Sequence, residues 1–182
     1  MSKYDDGMSY FNSARDNLMA NNINTALEQY HRSYEIFEEL LDPEMILKTL
    51  NSLGVCSGIL GNTQHEVAYF TKGLEACDKF KLKGAKQMFY SNIADRYLML
   101  GDAHSALPYA EMAYNNITNE CSEEFTSPAW VIAVEMNLAT CYVSTGNFED
   151  GKTHLLSAKE NAAKADIHHL DFSILVISIL LG

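Results

Sequence analysis

Positively charged residues are scarce in this sequence. Its 182 residues include 13 Lys and Arg against 24 Asp and Glu, which gives a formal net charge of -11. A protein that binds nucleic acid needs an excess of Lys and Arg to neutralise phosphates, and adsorption to an anionic membrane surface needs the same excess. The charge balance therefore argues against nucleic-acid and membrane partners.

Long apolar runs are also missing. The first ten residues, MSKYDDGMSY, contain no signal-peptide core. The most apolar stretch is FSILVISILLG at residues 172–182, which is far shorter than the roughly 20 residues needed to span a bilayer. We therefore expect a cytoplasmic protein.

Cysteines are few, and no two of them form a C-x-x-C pair. The four are Cys56, Cys77, Cys121 and Cys141. This spacing fits neither a zinc site nor a dense disulfide framework. We expect mostly buried, reduced thiols that act as small apolar residues.

Motifs of known enzyme classes are absent. There is no phosphate-binding glycine loop after a strand, no G-x-S-x-G and no H-E-x-x-H. Two sets could be read as sites: His168, His169 and Asp171 as metal ligands, and Cys56 with His65 as nucleophile and base. An exposed helix start accounts for the first set, and a packed thiol beside a turn histidine accounts for the second. We predict no enzyme activity for this chain, no metal and no cofactor.

Helix-breaking residues recur along the chain at a nearly constant interval. Gly61 and Gly101 are 40 residues apart, and Gly146 follows 45 residues later. Forty residues before Gly61 lies Asn21, and Asn tolerates the left-handed conformation that Gly supplies at a helix end. Each of these residues is predicted to end one helix just before another begins.

Small residues accompany the breaks on both sides. Seven positions before them lie Ala14, Gly54, Ala94 and Ala139, and twelve positions after them lie Ser33, Gly73, Ala113 and Ala158. Two helices joined by a tight turn can pack closely where their facing side chains are small. One such hairpin cannot bury its own apolar face, so hairpins must stack.

The repeated pattern resembles the tetratricopeptide repeat family. Its third copy matches the family template best, with Ile93, Ala94, Tyr97, Gly101, Asp102, Ala106 and Ala113. The resemblance implies an all-α fold, a right-handed superhelical array of antiparallel helix hairpins. It places repeats near 5–43, 44–83, 84–125 and 127–167, with a partial fifth repeat or capping helix at 168–182. The spacing exceeds the usual 34 residues and is similar to that of arrays in bacterial signalling proteins.

The pattern predicts nine helices in this single array. Asp42-Pro43 and Ser127-Pro128 are expected to start helices, and Gly84 is expected to separate the second and third repeats. The predicted helices lie near 5–20, 24–41, 44–60, 64–81, 84–100, 104–119, 128–145, 148–166 and 169–182.

In the family, the first helix of each repeat lines a concave groove. The resemblance gives seven candidate residues for a peptide-binding groove: Asn12, Arg15, Lys48, Asn51, Asn92, Asp95 and Asn137. One amide both donates and accepts, so a row of Asn could pair with the backbone of a bound peptide. The alternative is that these Asn residues bond locally within the repeats. Only Arg15 and Lys48 could serve a clamp for a partner's C-terminal carboxylate, which disfavours that mode.

We therefore hypothesise a protein-interaction module that binds a peptide or helix of a partner protein in its groove. A second hypothesis is the N-terminal sensory and dimerising region of a larger bacterial signalling enzyme, such as a diguanylate cyclase. It is motivated by the long repeat spacing and by the last residues, Leu181-Gly182, which match Leu53-Gly54 inside a repeat. A homodimer through the C-terminal helix is an expectation of that reading. A small-molecule binder or an enzyme is the third hypothesis, and the absent motifs disfavour it.

Overall fold

The computed structural model describes residues 2–120 and 127–166, and this part of the chain is built from α-helices. It contains α1 (Lys3–Met19), α2 (Ile23–Leu40), α3 (Pro43–Ile59), α4 (Thr63–Lys79), α5 (Lys86–Met99), α6 (Ala103–Asn119), α7 (Pro128–Ser144) and α8 (Phe148–Lys164). The predicted all-α array of antiparallel helix hairpins is confirmed. The predictions for Cys121, for His168, His169 and Asp171, and for a ninth helix lie outside the described residues.

The four predicted breaks form the turns inside the hairpins. Asn21, Gly61, Gly101 and Gly146 all have positive φ, at 62°, 73°, 75° and 88°. At the third turn, the N–H of Gly101 donates to the carbonyl of Leu98 and the next N–H donates to Tyr97, both at 2.9 Å. The other three turns repeat this pair of bonds, which satisfies the last carbonyls of each first helix. A Cβ on any of the three glycines would meet no atom within 4 Å.

The connections between hairpins use capping residues where the sequence offers them. The Asp42 side chain accepts from the N–H of Met45 at the start of α3, and Ser127 accepts from Trp130 at the start of α7. α5 has no side-chain cap. A 3₁₀ turn at Lys83–Ala85 precedes it instead, so α5 begins two residues later than predicted.

A buried amide holds this uncapped start in place. The side chain of Asn116 on α6 accepts from the N–H of Gln87 at 3.1 Å and donates to the carbonyl of Lys83 at 3.0 Å. It therefore does from the neighbouring helix what a capping side chain does locally.

Pro108 lies inside α6, at its sixth residue. The carbonyl of His104 therefore lacks its helical donor. Both residues are exposed, so water can bond this carbonyl.

The chain divides into two compact units, Met1–Leu82 and Lys83–Gly182. Unit 1 contains the hairpins α1–α2 and α3–α4. Its core cluster includes Ala14, Ala26, Tyr30, Leu53 and Cys56, all nearly or fully buried. The small residue of the second hairpin, Gly54, lies directly under the ring of Phe70.

Unit 2 contains the hairpins α5–α6 and α7–α8. Ala94, Ala106 and Ala110 form one cluster with Leu138 and Cys141, so the small residues lie at the contact between consecutive hairpins. Ala139 and Ala158 are in a second cluster between α7 and α8. The predicted small-residue seam is thus buried in every hairpin.

One carboxylate is buried inside the last hairpin. Glu135 on α7 is 3% exposed. It accepts from the Ser157 hydroxyl at 2.5 Å and from the Asn161 amide at 3.0 Å, both on α8. These two donors compensate the carboxylate for the water it loses.

Candidate interaction surfaces

The first helices of unit 1 each carry polar side chains at helical spacing. Asn12, Arg15 and Met19 are spaced by three and four residues along α1, so they share one side of that helix. Lys48 and Asn51 are three residues apart on α3. We call these five residues the unit 1 face. Asn12 and Asn51 are half-buried, and Met19 is 81% exposed.

Both cations of the unit 1 face have a carboxylate nearby. Arg15 Nε lies 3.9 Å from Asp16 Oδ1, and Lys48 Nζ lies 2.6 Å from Glu44 Oε1. The hydrogen bond from Lys48 lowers the pKa of Glu44. These local partners reduce the attraction that either cation could offer to a partner's carboxylate, which further disfavours the clamp mode.

The first helices of unit 2 present an equivalent face. On α5, the corresponding residues 80 positions later are Asn92, Asp95 and Met99. They have the same helical spacing as Asn12, Arg15 and Met19, with a negative charge in place of the positive one. Met99 is 69% exposed. We call these three residues, with Asn137 on α7, the unit 2 face.

A hydrogen bond joins the two helices of the unit 2 face. Asn137 Nδ2 lies 3.4 Å from Ser91 Oγ on α5. Ser91 lies four residues before Asp95 and Asn92 lies three residues before it, so both are helical neighbours of Asp95 on α5. The three candidates Asn92, Asp95 and Asn137 are therefore near one another within unit 2.

The carboxylate of Asp95 has an unusual setting. The residue is exposed, yet the partial desolvation of its carboxyl group raises its pKa, while the charge of Arg96 lowers it by less. Within the described residues, no hydrogen bond or ion pair reaches the Asp95 side chain. It is also the one charged side chain of the unit 2 face.

Some exposed apolar residues of the first helices were not predicted as candidates. Met19 and Ile59 each lie two residues before a helix break, as Met99 does, and Ile59 is 55% exposed. The 40-residue spacing of Met19, Ile59 and Met99 is the signal that could have identified them.

Aromatic and histidine side chains connect the second helices to helices of the same or the neighbouring hairpin. In unit 1, His31 Nε2 on α2 and Tyr69 Oη on α4 are 2.9 Å apart. In unit 2, Tyr142 donates to Glu111 at 2.9 Å, and its ring stacks on His154 at 5.7 Å. These polar groups already contact one another, so we assign them to hairpin stacking.

The lysines at the unit boundary line a shallow depression in unit 2. Its volume is about 380 Å³, and Lys83, Lys86 and Tyr90 face three asparagines of α6 across it. Lys83 Nζ lies 3.5 Å from Glu120, which also borders the depression. In residues 2–120 and 127–166, no group of three His, Cys, Asp or Glu is arranged to hold a metal ion.

Among the helices that the structure describes, none combines the length and the apolar character needed to cross a bilayer.

Comparison with known proteins identifies the fold. No family model and no curated protein matches the sequence. A Signal Transduction ATPase with Numerous Domains (STAND) protein with a tetratricopeptide repeat sensor, from Pyrococcus horikoshii, matches at a TM-score of 0.80 and 19% identity over 91% of this chain. A Rap protein complexed with Competence and Sporulation Factor matches at 0.73 and 14% identity over 99%.

A third structure is similar over the whole chain. The kinesin light chain TPR-like repeats of Podosopora anserina match at a TM-score of 0.72 and 18% identity over 100% of this chain. The chain spans 25% of the STAND protein, 49% of the Rap protein and 85% of the kinesin light chain fragment. At these identities the matches show the fold, which is that of a tetratricopeptide-type α-solenoid.

Proposed function

We propose that this chain is a protein-interaction module that binds a peptide or helix of a partner protein on the faces of its first helices. One observation carries this proposal. The first helices bury small residues toward their hairpin partners and carry half-buried amides beside exposed apolar side chains, with Met19 and Met99 the most exposed. Flexible exposed methionines are typical of adaptable protein-binding surfaces.

The amide groups favour a peptide over a small metabolite. Asn12, Asn92 and Asn137 occupy the same position in three repeats. An amide side chain can pair with a peptide unit whatever side chain that unit carries, because it both donates and accepts. The Rap protein, which has the same fold, is complexed with a factor, and binding of another molecule fits that precedent.

A pull-down tests the role of the amides. The wild-type chain and an Asn12, Asn92 and Asn137 triple alanine variant are immobilised, and the proteins recovered from a lysate of the source organism are quantified by mass spectrometry. We expect the variant to lose specific partners. A control triple alanine variant at Asn24, Asn115 and Asn119, which are exposed on second helices, should keep them. Equal recovery by the two variants would reject the amide role.

The second candidate function is the sensory and dimerising region of a larger bacterial signalling enzyme, such as a diguanylate cyclase. The observation that favours it is the match to a STAND protein whose tetratricopeptide repeats are described as a sensor. The complete reading frame tests it, since a frame that ends at Gly182 would exclude a following catalytic domain. Sedimentation at several concentrations tests the dimer, and a monomer throughout would reject it.

A non-catalytic role in the cytoplasm completes the proposal. Cys56, Cys77 and Cys141 are buried, and Cys56 and Cys141 are free thiols, which suits a reducing compartment. Burial also makes Cys56 a poor nucleophile, because it raises the pKa of this thiol to about 11.

A further inference from the structure

We infer that the unit 2 face selects a partner segment with a basic side chain, an arginine or a lysine, which binds against Asp95. This inference rests on the proposed function and adds the chemistry of the partner. It follows from the charge of the face, from the absence of an internal partner for Asp95, and from comparison with the equivalent face of unit 1.

The charge of the unit 2 face is a single negative one. Asn92, Asn137 and the neighbouring Ser91 are neutral, and Met99 is apolar. The nearest cation along the chain is Arg96, which is half-buried and only partly offsets the desolvation of Asp95. A segment that covers this face must either bring a cation to Asp95 or remove more water from an uncompensated carboxylate.

The desolvation of Asp95 strengthens the preference for a basic side chain on the partner. Its carboxyl group is already partly withdrawn from water, and this desolvation raises its pKa. A guanidinium or ammonium group would supply hydrogen bonds that water supplies only in part, and charge-assisted bonds of this kind are stronger than neutral ones. The exposed Met99, one turn along α5, offers an apolar surface for the methylene stem of a long basic residue.

Comparison with the unit 1 face shows that the negative charge at Asp95 is specific to unit 2 and is not part of the repeat pattern. Arg15 occupies the position of Asp95 in the first repeat, between an Asn and a Met at the same spacing. Replacing Asp95 with Arg therefore reproduces a stripe that the fold already contains. We expect that variant to fold, and its helical signal and melting temperature check this.

The first experiment requires no knowledge of the natural partner. A phage library of random dodecapeptides is panned against the full chain and against its Asp95→Asn and Asp95→Arg variants, at physiological salt. Wild type should enrich peptides with Arg or Lys at a fixed distance from apolar residues. The enrichment should fall for Asp95→Asn and reverse toward Asp or Glu for Asp95→Arg.

A matched control separates a local effect from the net charge of the protein. An acidic protein attracts basic peptides in a general way, so the same change of charge is made elsewhere in unit 2. Glu149→Arg alters an exposed carboxylate in the first turn of α8, and it should select the same peptides as wild type.

The second measurement uses one synthetic peptide taken from the wild-type selection. Isothermal titration should show affinity lower by about tenfold for Asp95→Arg and by less than about twofold for Glu149→Arg. Basic peptides that are enriched equally by wild type and Asp95→Arg would overturn the inference and leave the proposed function standing. A library that enriches nothing on the wild-type chain would reject both.

Discussion

The ring of Phe70 on α4 packs directly onto Gly54 of α3, in the space that a Cβ at residue 54 would occupy. A Cβ there would lie 2.7 Å from Phe70 Cδ1 and 2.8 Å from Cζ. Phe70 is fully buried and cannot move aside without displacing the core.

Gly54→Ala should therefore destabilise the protein. Alanine favours helix by about 1 kcal/mol over glycine, but overpacking a core costs about 1–3 kcal/mol, and the second effect should prevail because the overlap is with a buried ring. Urea unfolding followed by circular dichroism measures the change. In the Phe70→Leu background the penalty of Gly54→Ala should shrink. An equal or more stable Gly54→Ala single variant would contradict the packing argument.

Leu41 ends α2 in the left-handed conformation, with φ of 52°. This conformation costs a residue with a Cβ about 1–2 kcal/mol, and glycine adopts it without that cost. Leu41 is exposed, so little packing is lost with its side chain. Leu41→Gly should raise the free energy of unfolding by about 0.5–1 kcal/mol after the added chain entropy is subtracted.

The neighbouring residue supplies the control for this prediction. Leu40 is the last residue of α2 and is also exposed. Leu40→Gly should lower stability, because glycine is a poor helix former. If both glycine variants lose stability by similar amounts, the left-handed strain at Leu41 is not what limits this helix end.

Ser157→Ala should lower the stability of the protein more than the loss of one small side chain would suggest. It removes the 2.5 Å hydrogen bond to Glu135 and leaves the buried carboxylate with Asn161 as its remaining donor from α8. An unsatisfied buried polar group costs about 1–3 kcal/mol and a charged one costs more. Thermal or urea unfolding should show this loss, while Ser144→Ala, at an exposed serine of α7, should change stability by less than about 0.5 kcal/mol.

The double variant Ser157→Ala with Glu135→Gln tests the assignment of this cost. Removing the charge should recover part of the loss, because a neutral amide is cheaper to bury than a carboxylate. A double variant that loses the sum of both single effects would contradict it.

His31 should make unit 1 less stable in acid. Burial lowers the pKa of His31 from its usual 6.5, although Glu35 raises it in part. The unfolded chain therefore binds a proton before the folded chain does. The contribution of neutral His31 to the free energy of unfolding is fully present above the unfolded pKa of 6.5. It is lost as the pH falls below that value toward the folded pKa.

Unfolding free energies between pH 8 and pH 5 in wild type and His31→Gln measure this effect. Wild type should lose more stability than the variant over that interval, since glutamine can bond Tyr69 but does not titrate. Parallel curves for the two proteins would remove His31 as the cause.

The three buried cysteines should be inert in the folded protein. Burial raises the pKa of Cys141 to about 12, with a further contribution from Glu111. Since the thiolate is the reactive form, a Cys121→Ser variant at pH 8 should react with a thiol reagent only at the rate of unfolding. Rapid labelling of Cys56, Cys77 or Cys141 without denaturant, located by mass spectrometry, would contradict their burial.

The sequence pattern predicted the helices well because small residues and helix breaks recur together. All eight predicted helices in the described part are present, and Asn21 has the positive φ expected of a residue in place of glycine. The late start of α5 could not be foreseen, because it depends on Asn116, a side chain 29 residues away. The sequence around the start of α5 does not indicate a capping side chain that comes from another helix.

The candidate faces were predicted only as lists of positions. The repeat register placed Asn92 and Asp95 on one side of α5, which helical periodicity is enough to imply. The partners of Arg15 and Lys48 were not predicted, although the i,i+4 spacing of Glu44 and Lys48 is the signal that could have indicated their ion pair. The repeat register also could not show the desolvation of Asp95, which arises from surrounding residues and not from spacing.

The open space around the hairpin turns has a practical consequence. A Cβ added at Gly61, Gly101 or Gly146 would meet no atom within 4 Å, and the bonds of these residues to the preceding helices are made by backbone groups. Short tags or fluorophore attachment sites can therefore be inserted beside these turns with little disturbance to the folded hairpins. Fluorescence from such labels would report ligand binding at each face.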